Sequence, residues 1–184
     1  MKRIGVVGVV VGAVVSTFGC GGGEVARQTW TNTFDGVGDD AFLVDDDFVC
    51  LGDERFDVVG HSRIWNKNGK QDEAVAHARA KDIGEYPVGT VIQLFPSEAS
   101  VKRGKGFSPE TGDWEFLVLN VDSGETVITE RGTTDISNVG GSCVSCHGGA
   151  SAYDYACFSN EGCGPLPFFI NTDVKPDVDD PRCR

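Results

Sequence analysis

The pentapeptide Cys143-Val144-Ser145-Cys146-His147 concentrates more reactive side chains than any other stretch of the chain. Two thiols three positions apart, followed at once by an imidazole, form the C-x-x-C-H pattern of covalent haem attachment. On one helical turn the two sulfurs reach the two vinyl groups of a haem, and the adjacent His lies beneath the iron as its proximal ligand. The expectation is one haem c bound through Cys143, Cys146 and His147, with His147 as the metal ligand. Two other readings of the same spacing stay open. Cys157 and Cys163 would complete a four-thiolate zinc site, which leaves His147 idle. Alternatively, Cys143 and Cys146 form a disulfide.

The far side of the iron is constrained by what the chain lacks. Small electron-transfer cytochromes carry the haem motif early and a Met ligand later. Here the motif comes late, and the one Met is Met1. The sixth ligand is then His61, His77, a Lys, or no protein group. An open distal position is expected, and with it a small-molecule ligand at the iron. The alternative is a bis-His haem, completed by His61 or His77, in an electron carrier that docks on a periplasmic redox partner. The remaining cysteines of the body, Cys50, Cys157, Cys163 and Cys183, are even in number and allow three pairings. Proximity in sequence favours Cys157 with Cys163, which leaves Cys50 to tie Cys183 and the chain end back to the start of the domain.

The elements that position these groups are short. Residues 57–66 are rich in β-formers and read as a strand, as do 90–95, 113–121 and 125–131. The turn Asp122-Ser123-Gly124 joins the last two into a hairpin. Residues 71–82 are Ala-rich and unbroken and read as a short helix. From Cys143 onward the chain is rich in Gly, Pro and Cys. The fold class expected is α+β: an antiparallel sheet with a few flanking helices, and a haem-binding helix near the C-terminus.

The chain start reads as an address. Lys2 and Arg3 precede an apolar and Gly-rich run, and small residues lead to Cys20, in the manner of a bacterial lipoprotein signal. Residues 1–19 are expected to be the signal peptide, with Cys20 as the lipidated residue and Gly21-Gly22-Gly23 opening a tether. The expected organisation is a flexible acidic tether over 20–47 and a haem domain over 48–184. The location implied is the bacterial periplasm, anchored by lipid to the outer membrane. That compartment is oxidising, which suits both haem attachment and disulfides. In 184 residues, 40% are hydrophobic and 24% charged, as in an ordinary globular protein. The net charge of −12 argues against nucleic acid as a partner. Asp45-Asp46-Asp47 lack the alternating ligand spacing of a calcium loop.

Several blocks together carry a resemblance. Pro87-Val88-Gly89-Thr90-Val91-Ile92, Glu98-Ala99-Ser100-Val101-Lys102, Gly112-Asp113-Trp114-Glu115-Phe116, the haem motif and Asp154-Tyr155 follow one another in the order seen in the cytochrome P-460 family. That family is related to the β-sheet cytochromes c′. The resemblance spans about residues 57–158, and the Cys-rich tail is similar to a lipoprotein subgroup. It implies an antiparallel sheet, a five-coordinate haem c and, in many members, a homodimer. It implies binding or oxidation of small nitrogen species such as nitric oxide and hydroxylamine. Founding members cross-link a Lys to the haem edge where this chain has Leu94, so the resemblance here is to a form without the cross-link. Glu98 falls on the family's distal carboxylate and is the implied catalytic group. Read without the resemblance, it is a surface Glu before a loop. Phe95, Phe107 and Trp114 are candidates for the distal lining.

Overall fold

The computed structural model describes residues 26–80, 84–138, 141–157 and 173–184. Six strands form one sheet in simple sequence order, each antiparallel to the next. They are β1 (Asp57–Val59), β2 (Ser62–Asn66), β3 (Thr90–Gln93), β4 (Glu98–Lys102), β5 (Trp114–Asn120) and β6 (Val127–Gly132). Helix α1 (Gln71–Ala80) lies between β2 and β3 in sequence. A second, two-stranded sheet, β7 (Ser137–Asn138) with β8 (Gly141–Ser142), leads directly into helix α2 (Cys143–His147). A last helical turn, α3 (Pro176–Asp179), precedes the chain end. The α+β class and the antiparallel sheet are as the sequence leads one to expect.

Three segments differ from expectation. The 57–66 segment is two strands, because Gly60 takes a left-handed φ of 58° and reverses the chain. His61 therefore sits exposed in a turn rather than on a strand. β4 went unforeseen as a strand although its residues alternate polar and apolar. The segment 26–47, expected as a solvated tether, is instead docked on the sheet over its described length. Ala41 and Leu43 are buried there, and Trp30 donates its indole N–H to the carbonyl of Ile128 at 3.0 Å. Cys20 and the leader lie outside the described residues.

Strand alternation divides the sheet into two faces. One face carries Trp65, Val91, Ala99, Val101, Leu117, Leu119 and Ile128, covered by Ala41, Leu43 and Phe48 of the N-terminal segment. Arg103 fastens that segment to this side of the sheet. Its guanidinium forms a fork with Asp40 (2.9 and 2.7 Å), reaches Glu115 at 2.6 Å and Asn32 at 2.7 Å, and stacks on Phe107. Arg131 grips the other side of Glu115 at 2.7 Å. The opposite face carries Ile64, Trp114 and Phe116 and is covered by α1 through Ala74 and Ala78, and by Ile136 and Ala156. Alanine at those helix positions lets α1 lie close to the strands. Asp72 and Glu73 in its first turn and Arg79 in its last complement the helix dipole.

The chain end is locked to the domain start. Cys50 and Cys183 form a disulfide across 133 residues of sequence, the pairing expected. Beside it, fully buried Asp180 accepts the Leu51 N–H at 2.9 Å and a fork from Arg182. Closing so long a loop removes much entropy from the unfolded chain. The double variant Cys50→Ser/Cys183→Ser should lose about 2–5 kcal/mol in urea unfolding. A loss well under 1 kcal/mol would show that Asp180 and Arg182 hold the chain end without the disulfide.

Candidate haem-attachment site

Helix α2 is short and starts where β8 ends. The Cys143 N–H donates to the Ile136 carbonyl at 3.0 Å, and Cys143 and Val144 pack on the Trp114–Phe116 face of the sheet. Cys143 and Cys146 are both free thiols, which removes the reading of a disulfide between them. Cys157 is disulfide-bonded, so it is not available as the thiolate a zinc site would need. Cys163, its expected partner, lies outside the described residues. Burial pushes the Cys143 thiol up to about 11, and the Glu98, Cys146 and Glu130 charges push the same way. Cys143 is thus a protonated thiol at neutral pH.

His147 closes the helix with its ring against Phe116, 5.0 Å between centroids. Its Nδ1 lies 2.7 Å from the Tyr155 carbonyl oxygen, and the Cys157 sulfur is 3.9 Å from the same nitrogen. Burial lowers its pKa, which keeps the imidazole neutral. A neutral ring facing a carbonyl must put its proton on Nδ1, so Nδ1–H donates and Nε2 keeps its lone pair. A backbone acceptor on one ring nitrogen thus fixes both the tautomer and the orientation of the ring.

The carbonyl is aimed by an unusual turn. After the 3₁₀ segment Gly148–Tyr153, both Asp154 and Tyr155 adopt left-handed backbone, with φ of 51° and 59°. Such angles are uncommon for side chains larger than glycine. They are sustained by surrounding contacts. The Asp154 carboxylate accepts both bonds of a Lys102 ammonium (2.6 and 2.7 Å) and the Tyr86 N–H (2.7 Å). Lys102 also donates to the Gly112 carbonyl at 2.7 Å. Gly112 must be glycine for this fit: a Cβ there would meet the Tyr155 ring at 2.7 Å and Asp154 Oδ1 at 3.0 Å. Lys102 and Asp154 are both buried.

Glu98 lies on the same sheet face as the haem motif. In the β4–β5–β6 register it stands opposite Val118, which in turn stands opposite Glu130. Directly opposed residues share a face, and Ser100 and Phe116 are the next pair along it. Burial raises the Glu98 pKa above its ordinary value, against the pull of a hydrogen bond from the Asn138 side chain. A carboxyl so displaced can hold or release a proton nearer neutrality than a solvated Glu. Beside it, Ile92 and Val118 are only partly buried, leaving a strip of apolar sheet incompletely covered. Trp114 is on this face but fully buried in the core. Phe107 is not here: it stacks on Arg103, with 4.2 Å from guanidinium carbon to ring centroid. His77 packs edge-on against Tyr86 at 4.3 Å, and its Nε2 is buried with no hydrogen-bond partner. Leu94 sits in the bend between β3 and β4, half-buried.

No family model, curated protein or solved structure matches this chain. The assignment of chemistry therefore rests on the residues themselves. The structure adds Lys102, Asp154 and the Tyr155 carbonyl, none of which the motif reveals. The nearest sequence signal is their place in the Glu98–Lys102 and Asp154-Tyr155 blocks.

Proposed function

We propose that this chain is a mono-haem c-type cytochrome similar to the P-460 family, with an open distal site for small nitrogen species. The observation that carries the reading is His147 Nδ1 at 2.7 Å from the Tyr155 carbonyl, on a helix whose two other reactive groups are free thiols. That geometry fits covalent attachment through Cys143 and Cys146 and ligation through His147 Nε2. A haem there supplies an iron that exchanges small ligands such as nitric oxide or hydroxylamine. The chain's own residues do the rest. The apolar strip at Ile92 and Val118 would help hold the haem. Glu98, the candidate catalytic group, is a partly buried carboxylate that would take a proton from an N–H or O–H substrate. Leu94 offers no amine for a cross-link, so attachment would rest on Cys143 and Cys146.

In this reading the leader and Cys20 place the protein in the bacterial periplasm on a lipid anchor at the outer membrane. Among the described residues no helix is long and apolar enough to cross a membrane. The net charge of −12 suits a basic periplasmic redox partner. Self-association as a homodimer belongs to the same proposal.

The pH profile of substrate oxidation by the matured protein tests the role of Glu98. A base must be deprotonated, and burial raises its pKa, so activity should climb with pH through an apparent pKa above the ordinary Glu value. Glu98→Gln should lose about 100-fold or more in rate, and that limb should disappear. An unchanged limb in the variant would remove Glu98 from the mechanism. Carbon monoxide should bind the reduced wild-type protein; failure to bind would mean that a protein group fills the sixth position.

A further inference from the structure

Lys102 and Asp154 form the one described carboxylate–ammonium pair in which both side chains are about 5% exposed. Nothing in haem attachment requires it, since the thioethers and the iron bond come from Cys143, Cys146 and His147. Its partners nevertheless converge on one point. Lys102 comes from β4, the Gly112 carbonyl from the approach to β5, and the Tyr86 N–H from the segment before β3. The ammonium and the Tyr86 N–H both bond the Asp154 carboxylate, the Gly112 carbonyl accepts from the same ammonium, and the residue after Asp154 supplies the carbonyl that holds His147. The two consecutive left-handed residues cost energy and persist where the surroundings over-determine them. Tyr155 N–H to the Ala150 carbonyl (3.0 Å) and Ala156 N–H to Tyr153 (3.1 Å) complete the turn.

We propose that Lys102 and Asp154 are positioning residues: through the strained Asp154–Tyr155 turn they hold the Tyr155 carbonyl on His147 Nδ1, and so set the orientation and basicity of the iron ligand. The inference rests on the haem reading above. A partner on the outer nitrogen of a ligating histidine fixes the ring and raises its donor strength. Here that partner is a backbone oxygen, so its position has to be controlled by whatever holds the turn. The sheet thus controls the iron ligand through a buried charge pair.

The test uses the full-length, haem-loaded protein and the variants Asp154→Asn and Lys102→Met. Asn keeps the shape and tolerates left-handed backbone, but loses the charge that Lys102 grips. Asp154→Gly is the third variant; it relieves the backbone and removes the carboxylate, and it serves if Asn prevents folding. All three should retain covalent haem. Each should show a lower-frequency iron–histidine stretch in the reduced state and a positive shift in midpoint potential, because the loosened carbonyl no longer strengthens the ligand. Variants that melt earlier yet match the wild type in stretch and potential would reduce the pair to a packing role and overturn the proposal. A wild-type protein that carries no haem would instead sink the haem reading. The positioning claim would then be read from ¹⁵N-histidine spectra of the same chains, with the His147 Nδ1–H form expected in the wild type and lost in the variants. Its survival in the variants would overturn the claim.

Discussion

The double variant Cys143→Ser/Cys146→Ser, produced alongside the haem-attachment machinery, should carry no haem on a denaturing gel, where the wild type stains. The effect is all-or-none because the serine hydroxyl forms no thioether with a vinyl carbon. Each single variant should retain haem weakly or through one bond, with a shifted reduced spectrum. His147→Ala should lose haem more gradually, since its role is ligation and both thiols remain. The variants should fold, because Cys143 is only partly buried and Cys146 is exposed. A wild-type protein with two free thiols and no stain would contradict the assignment directly.

The second large effect concerns stability. Arg103 is 1% exposed and is the hub of the cluster that holds the N-terminal segment to the sheet. Arg103→Ala leaves the buried Glu115 carboxylate and the partly buried Asp40 carboxylate with less compensation, and the expected loss is about 3–5 kcal/mol. That is a large part of the 5–15 kcal/mol typical of a domain. Arg103→Lys should restore little, because a single ammonium does not reproduce the fork on Asp40 together with the bond to Glu115. Arg27→Ala, at an exposed pair with Glu125, should cost under about 1 kcal/mol. Acid adds a signature. Burial alone would raise Asp40, but hydrogen bonds from Arg103, the Gly104 N–H and Asn32 hold it far below the usual carboxylate range. Its folded pKa lies below its unfolded one, so its stabilisation is complete above about pH 4 and fades as pH falls through the folded value. Arg103→Ala should flatten that acid limb in denaturant titrations across pH 2–5. An unaltered limb would mean that Asp40 does not depend on Arg103.

The contrast between β5 and β4 explains what could be read from the sequence. Trp114–Asn120 is full of β-formers and buried on both faces, so it announces itself. Glu98–Lys102 has the right alternation, but Glu98, Ala99 and Lys102 are of types depleted in strands, and Val101 is its one strong strand former. Its polar side is the side that carries Glu98 and Lys102 toward the candidate site. The Cys143–His147 motif is legible because its spacing is the chemistry. The pair that stabilises its setting is not legible, because Lys102 and Asp154 meet across 52 residues through a meander whose register only folding fixes. The acidic stretch at 39–47 misled for a similar reason. Asp40 finds Arg103 63 residues away, and a run of Asp reads as solvated until that partner is known.

The most direct measurement is the absorption spectrum of the purified, matured protein, ferric and then dithionite-reduced. The account predicts haem bands that persist through denaturation and a broad, high-spin reduced spectrum, without the strongly red-shifted Soret band of a Lys cross-link. Sharp, split low-spin bands would mean a second protein ligand such as His77 and would contradict the open site; no haem bands at all would contradict the cytochrome assignment itself.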